Sequence, residues 1–303
     1  MNGSPADGEA NGLVVAAHGR HCMVEAADGR RLLCHARGKK SEVVVGDRVH
    51  WQSAGDEGVI DKVAERRNLL FRQDEWKTKS FAANLDQLLV LVAVEPMYAE
   101  TQLARALIAA ESAGIPTLIV LNKTDLPTLA AARERLAPYR AMGVAVYELS
   151  LKARGDEARA LLAPLLEGKA TLVLGPSGMG KSTLINLMVP AAAAQVGEIS
   201  KALNAGRHTT TDTRWYWLDE TRRSALIDSP GFQEFGLRQL KATELAALMP
   251  DIGAHAQACR FYNCSHLHEP GCGVRDALAR GEIHPSRYRI YTELQAELSS
   301  TRW

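Results

Sequence analysis

Hydrophobic and polar positions change texture twice along the chain. From Leu13 to about Arg72, short apolar runs such as Leu13-Val14-Val15 and Glu42-Val43-Val44-Val45 are broken by turn signals. Those signals are Ala27-Asp28-Gly29-Arg30, Arg37-Gly38-Lys39-Lys40, Val45-Gly46-Asp47-Arg48 and Ala54-Gly55-Asp56-Glu57-Gly58. Short strands punctuated by tight turns predict a small barrel of about five strands, OB-type first and SH3-like second. Near Ala82 the texture shifts. Gln87 to Val94 is a continuous apolar run, as in a strand buried on both faces of a parallel sheet. Thr101 to Gly114, Leu129 to Gly143 and Ala158 to Leu166 read as helices, and Pro116 to Leu121, Val144 to Leu149 and Ala170 to Leu174 as strands. That alternation predicts a doubly wound α/β domain. Further on, Arg214 to Leu218 and Ser224 to Ile227 flank a polar turn and predict a hairpin, and from Leu240 the pattern is helical around a compact insert.

The chemistry gathers around Gly175-Pro176-Ser177-Gly178-Met179-Gly180-Lys181-Ser182. It follows the apolar strand Ala170 to Leu174 and runs into Thr183 and a helix start, the strand, G-x-x-x-x-G-K-[ST] loop and helix of a phosphate-binding P-loop. Glycines let successive backbone N–H groups turn inward around phosphates, and the helix N-terminus adds a favourable dipole. Lys181 would reach the outer phosphates, and the Ser182 hydroxyl would coordinate Mg²⁺.

Asn122-Lys123-Thr124-Asp125 closes a strand, where sheets of this kind bind ligands. Asp125 can accept from N1–H and the N2 amine of guanine; adenine would leave the carboxylate unpaired, at a cost of about 2–5 kcal/mol. Asn122 has two open roles, bonding the base edge or tying the motif to the P-loop, and the Lys123 stem can cover the base. In Ser150-Leu151-Lys152, a backbone N–H is placed to touch guanine O6. Downstream, Asp228-Ser229-Pro230-Gly231 is a D-x-x-G motif: Asp228 would hold Mg²⁺ through water, and the Gly231 N–H would meet the γ-phosphate. One threonine of Thr209 to Thr211, assigned to Thr210, completes the Mg²⁺ contacts. Phe232 stands where Ras-like enzymes carry a water-orienting glutamine, so intrinsic hydrolysis is expected to be slow. His208 is the candidate to orient the attacking water, a packing or RNA-facing histidine being the alternative. The base motif precedes the P-loop, the reverse of the Ras order, which predicts circular permutation and leads the switch directly into the C-terminal region.

Three of the five cysteines, Cys259, Cys264 and Cys272, cluster with His266 and His268. Three thiolates and one imidazole suit a structural zinc site, with His266 and His268 both open as the fourth ligand.

Composition narrows the setting. At 303 residues the chain can hold two or three domains, and 46 % hydrophobic and 23 % charged residues are those of a soluble protein. A net charge of +1 provides no global field for nucleic acid, so any such contact must come from local patches. Arg30, Arg31, Arg37, Lys39, Lys40, Arg66, Arg67, Arg72, Lys77 and Lys79 are candidates in the N-terminal third, and Arg275, Arg280, Arg287 and Arg289 near the cysteines. No apolar run approaches membrane-spanning length, and the first dozen residues lack the features of a signal peptide. A cytoplasmic protein without membrane contact is expected.

A barrel, then a permuted GTPase carrying Gly206-Arg207-His208-Thr209-Thr210-Thr211, then Cys259, Cys264, His266 and Cys272, closely resembles the small-ribosomal-subunit-dependent GTPases of the RsgA (YjeQ) family. Ala82-Ala83-Asn84-Leu85-Asp86-Gln87 and His268-Glu269-Pro270-Gly271-Cys272 match as well. The polar, small-residue stretch 1–12 is expected to be a disordered tail; beyond it the resemblance implies an OB-fold at 13–75, a circularly permuted P-loop GTPase domain at 82–238 and a helical zinc-binding domain at 239–303. It implies GTP as substrate, Mg²⁺, one zinc ion on Cys259, Cys264, His266 and Cys272, and His208 as the catalytic histidine. The implied partner is the small (30S) ribosomal subunit with its 16S rRNA, contacted by a monomer during late maturation. Two other readings stay open: a GTP-dependent RNA- or protein-binding module whose hydrolysis is incidental, and a P-loop ATPase or kinase.

Overall fold

The structure, a computed structural model, describes residues 11–18, 21–37, 42–55, 57–73, 78–190, 192, 213–229, 237 and 239–300. His208, Thr210, Gly231 and Phe232 lie outside the described residues, as does the expected disordered tail but for its last two positions.

Five strands close the N-terminal barrel: β1 (Gly12–His18), β2 (His21–Ala26), β3 (Arg31–Ala36), β4 (Arg48–Ala54) and β5 (Glu57–Val63). Their order is β1-β2-β3-β5-β4, and β4 returns to pair with β1. β3 and β5 are parallel and the other pairs antiparallel, an OB-type closure. Alternation along the strands points Val14, Cys22, Val24, Cys34, Val49 and Ile60 into a small core of their own. Leu13, Val15 and Met23, on the opposite faces of β1 and β2, belong instead to the main core. That two-sided burial explains why the start of β1 reads as unbroken apolar sequence rather than alternating. A hairpin of β6 (Leu69–Gln73) and β7 (Thr78–Ala83) follows.

The second unit is built on β8 (Gln87–Ala93), β9 (Thr117–Asn122), β10 (Ala145–Glu148), β11 (Ala170–Leu174), β12 (Arg214–Trp217) and β13 (Ala225–Asp228), in the order β10-β9-β8-β11-β13-β12. All pairs are parallel except β12–β13. Every residue of β8 and β11 is buried, as their continuous apolar runs require. The connecting helices are α1 (Glu100–Ser112), α2 (Leu129–Ala141), α3 (Gly155–Leu166) and α4 (Lys181–Met188). α3 starts three residues before the first apolar position of its pattern, because Asp156 and Glu157 suit the positive end of the helix dipole. The chain runs outward from β8 to β10 and then crosses back to β11 on the other side of β8. The order therefore reverses between β8 and β11, where a doubly wound sheet opens its ligand crevice.

β12 pairs with β1 through Ala16 and Arg214, so the barrel and the mostly parallel sheet form one continuous eleven-stranded sheet. The C-terminal segment forms α5 (Pro250–Ala256), α6 (Gly273–Ala279) and α7 (Pro285–Ser300). Its buried Ile283, Ile290, Tyr291, Leu294 and Leu298 join the main core. Among the described residues, no helix is long and apolar enough to cross a membrane.

Candidate functional site

At the switch point a cavity of about 600 Å³ opens between the ends of β9, β11 and β13. The loop after β11 forms its floor. Two glycines there have left-handed backbones, Gly178 at φ +81° and Gly180 at φ +107°. A Cβ on Gly180 would lie 2.4 Å from the Asn122 Nδ2, so the glycine is also what admits the base motif against the loop. Gly175 packs on strand β8, where a Cβ would come within 2.3 Å of the Leu91 carbonyl oxygen. Met179 is buried and anchors the loop from below. Lys181 Nζ donates to the Gly175 carbonyl at 2.6 Å and reaches Pro176 O at 3.5 Å, which holds the ammonium over the loop. Burial pulls Lys181 below the ordinary lysine range, and the Asp228 carboxylate works against that shift. Ser177, Gly178, Ser182 and Thr183 line the same cavity with Lys181, and Pro176 stands half-buried beside them.

Asn122, the last residue of β9, makes the tie to the P-loop that was one of its two expected roles. Its Nδ2 donates to Met179 O at 2.8 Å, and its Oδ1 accepts from the Lys123 N–H at 2.8 Å and the Leu151 N–H at 3.0 Å. The side chain clips base motif, P-loop and β10 loop together. Lys123 has a positive φ of 63°, and its Nζ donates to Glu95 O at 2.7 Å. Asp125 is exposed in the cavity wall. Its Oδ1 accepts the Ser150 hydroxyl at 2.6 Å, its N–H returns a bond to Ser150 Oγ at 3.1 Å, and Ser150 Oγ lies 3.2 Å from Thr124 Oγ1. The Ser150 hydrogen bond is the main reason that the Asp125 carboxyl sits below the usual carboxylate range. Ser150 thus acts through its side chain, orienting Asp125. The Leu151 N–H is spent on Asn122, and of this stretch Lys152 stays on the cavity wall beside Leu151.

Asp228, at the end of β13, faces the cavity opposite Lys181. Burial raises its pKa, against the pull of Lys181 and Arg214. A half-buried carboxylate beside Ser182 can bind a hard divalent cation through oxygen or water.

A second site lies about the C-terminal helices. One donor atom from each of Cys259, Cys264, His266 and Cys272 falls within 4.8 Å of the others. His266 Nδ1 lies 3.3 Å from Cys259 Sγ and 3.6 Å from Cys272 Sγ, and the two sulfurs are 3.9 Å apart. Tetrahedral zinc with Zn–S of about 2.3 Å has edges close to these, so the cluster fits that ion. His266 is buried at φ +62° while His268 is exposed, which decides between the two histidines. The carboxylate of Glu269 organises the loop, accepting from Ser265 N at 2.7 Å, Ser265 Oγ at 2.5 Å, Leu267 N at 3.2 Å and His268 N at 3.2 Å. Tyr288 and Tyr291 of α7 donate to the carbonyls of His266 and Ser265 at 2.7 and 2.9 Å.

The sequence profile described as RsgA GTPase matches residues 63–238, which hold the base motif, the P-loop and the D-x-x-G segment in that order. The chain belongs to the RsgA GTPase family. The Small ribosomal subunit biogenesis GTPase RsgA of Variovorax paradoxus is 62 % identical over 298 residues, covering 97 % of this chain and 94 % of that one. Among solved structures, YjeQ from Thermotoga maritima superposes with a TM-score of 0.71 at 31 % identity, covering 96 % of this chain and 99 % of the other. YloQ, a circularly permuted GTPase, gives 0.71 at 26 % identity, covering 100 % and 99 %. As a member of the RsgA family the chain is a circularly permuted GTPase that takes GTP with Mg²⁺, and its Cys₃His cluster can hold one zinc ion.

Within this RsgA-family fold some contributors escape the motifs. Glu95-Pro96, after β8, receives Lys123 Nζ and the Thr128 hydroxyl (2.7 Å, on Glu95 Oε1) and sets the Pro96 ring against Gly178. Ser229 donates to Val173 O at 2.9 Å and ties the D-x-x-G segment to β11. Only the position after a central strand could have signalled the first, and the sequence marks Glu269 only as part of the stretch His268 to Cys272, without a role. The basic candidates change most. Arg30, Arg31, Arg37, Arg66 and Arg67 pair with Asp28, Glu25, Asp61, Asp47 and Asp86. Arg280 pairs with Glu282, and Arg289 lies 3.8 Å from Glu293. Arg287, read as a phosphate contact, is instead buried against Asp251, because its helix packs on the main core. Lys39, Lys40 and Lys77 lie outside the described residues.

Proposed function

We propose that this GTPase binds the small ribosomal subunit and hydrolyses GTP to GDP and phosphate as an assembly and release checkpoint in late subunit maturation. The observation that carries the nucleotide half is the clip at Asn122, which seats Asp125 and Lys181 in one cavity. In this reading Asp125, oriented by Ser150, reads the guanine edge, Lys123 covers the base, and the loop Gly175 to Thr183 cradles the phosphates with Lys181. Mg²⁺, held by Ser182, Asp228 and Thr210, would neutralise charge on the outer phosphates. Gly231 would meet the γ-phosphate, and His208 would accept a hydrogen bond from the attacking water in place of the glutamine that Phe232 replaces. The ribosomal half is supported by the printed names of the relatives. The contact is assigned to 16S rRNA, made by a monomer in the cytoplasm, with the OB-type barrel, the permuted GTPase domain and the zinc-binding helices as separate binding units.

The test measures phosphate release from GTP and ATP with and without purified small subunits, alongside co-sedimentation with a non-hydrolysable GTP analogue. GTP-selective turnover, stimulated by subunits, is expected, and Asp125→Asn shifts preference to xanthine nucleotides. Equal turnover of ATP would sink guanine recognition. Phe232 favours one second reading, nucleotide-dependent binding with incidental hydrolysis; it wins if subunits bind but leave turnover unchanged.

A further inference from the structure

Among the described residues three large apolar side chains are exposed: Met97, Phe261 and Tyr262. Two of them are neighbours on a single loop. Arg260-Phe261-Tyr262-Asn263 fills the interval between Cys259 and Cys264, two members of the Cys₃His cluster. The loop is braced further: the Arg260 N–H donates to Gly271 O at 2.9 Å, and the Cys264 N–H closes a turn onto Phe261 O at 3.3 Å. Tyr262 is as exposed as in an extended chain, at 103 %, and Phe261 is 41 % exposed. The Arg260 guanidinium lies 5.5 Å from the centre of the Phe261 ring.

Which partner suits such a tip follows from its chemistry. An anchor for another protein is ringed by apolar or neutral contacts that exclude water. Here a guanidinium stands against the Phe261 ring, and the residue after Tyr262 is a polar amide, Asn263. The loop carries no acid, and the Glu269 carboxylate, beside the same cluster, is turned onto four donors of its own segment. Exposed rings beside a cation, on a loop braced by backbone hydrogen bonds at both ends, match what an unstacked base and its phosphate require.

The geometry points to the Arg260–Asn263 tip as a stacking platform for an unpaired nucleotide of single-stranded RNA, with Tyr262 and Phe261 against the base and Arg260 near the phosphate. This rests on the ribosomal reading above and names the contact that the zinc module makes. The test uses the full-length protein with zinc content verified, a fluorescein-labelled octa-adenylate RNA, a blunt RNA duplex of equal length, and small subunits. Tyr262→Ala is expected to weaken octa-adenylate binding about tenfold, and Tyr262→Phe to keep most of it, since base stacking contributes on the order of 1–3 kcal/mol per ring. Duplex binding, basal GTP turnover and zinc content stay within twofold. The platform is wrong if wild type does not bind octa-adenylate, if Tyr262→Ala binds it like wild type, or if duplex binding falls equally. It is also wrong if the alanine variant loses only affinity for subunits, which would make the tip a protein contact. Failure of wild type to bind subunits while octa-adenylate binding follows the expected pattern would overturn the ribosomal reading and leave the platform standing.

Discussion

The GTPase sheet meets its two neighbours in different ways. On the barrel side the junction is backbone: β1 pairs with β12, and the barrel keeps a small core of its own. One buried acid seals the seam. Glu25 on β2 accepts from Trp217 Nε1 at 2.8 Å and pairs with Arg31 at 2.9 Å and Arg222 at 3.5 Å, and Arg222 lies over Gly29 in the β2–β3 turn. On the other side the junction is side chain. Arg287 of α7, held by Asp251 of α5 at 2.8 Å, lies over the Tyr139 ring of α2 at 5.1 Å, and Glu297 of α7 pairs with Arg105 of α1. The buried apolar residues of the C-terminal helices have no separate core and merge with the main one. A unit with its own core tolerates damage at its seam, whereas one without it relies on docking and on its metal cluster.

Zinc removal separates the two junctions most sharply. A structural site contributes folding energy outright, with apparent binding of about 10–16 kcal/mol in small zinc domains. Stripping the metal with a strong chelator is expected to strip hydrogen-exchange protection from α5, α6 and α7 while β1 to β5 keep theirs; uniform loss across the chain would erase the contrast. Next comes Arg287→Ala, which removes a buried guanidinium, leaves the half-buried Asp251 unpaired and costs about 3–5 kcal/mol. Its denaturation midpoint should fall accordingly, with GTP affinity retained at temperatures where the protein is folded. Glu25→Gln is expected to cost less, about 1–3 kcal/mol, because Arg31 and Arg222 are 25 % and 40 % exposed and can recover water. If it costs more than Arg287→Ala in the same denaturation series, the seam and not the docked helix is the weaker junction.

The smallest effect lies between the junctions, at Asp228. Burial raises its pKa in the folded protein, so ionisation costs stability, and that cost grows as pH rises through the raised value. Asp228→Asn should therefore stabilise the nucleotide-free protein at neutral pH, with the gain fading as pH falls below about 4, the ordinary aspartate value, where both folded and unfolded forms are protonated. Thermal melts across that range check it; a gain independent of pH would point to repacking instead of charge.

Much of this was legible in the residues alone. The P-loop, the base motif and the D-x-x-G segment are local, since glycine spacing and a carboxylate's place after a strand carry their chemistry without reference to the rest of the chain. Their order also declared the permutation, and the apolar runs of β8 and β11 announced a sheet covered on both faces. Tertiary structure decided what depends on neighbours distant in the chain. Asn122 became a clip because Met179 and Leu151 approach it across 57 and 29 residues. His266 was preferred to His268 because only one imidazole is turned inward onto the thiols. Arg31, Arg37, Arg66 and Arg67 lost their apparent freedom because the fold brings Glu25, Asp61, Asp47 and Asp86 to them, whereas Arg30, Arg280 and Arg289 pair with acids close by in the sequence. The seam through β1 and β12 was likewise invisible, because backbone pairing leaves no signature in side chains more than 190 residues apart.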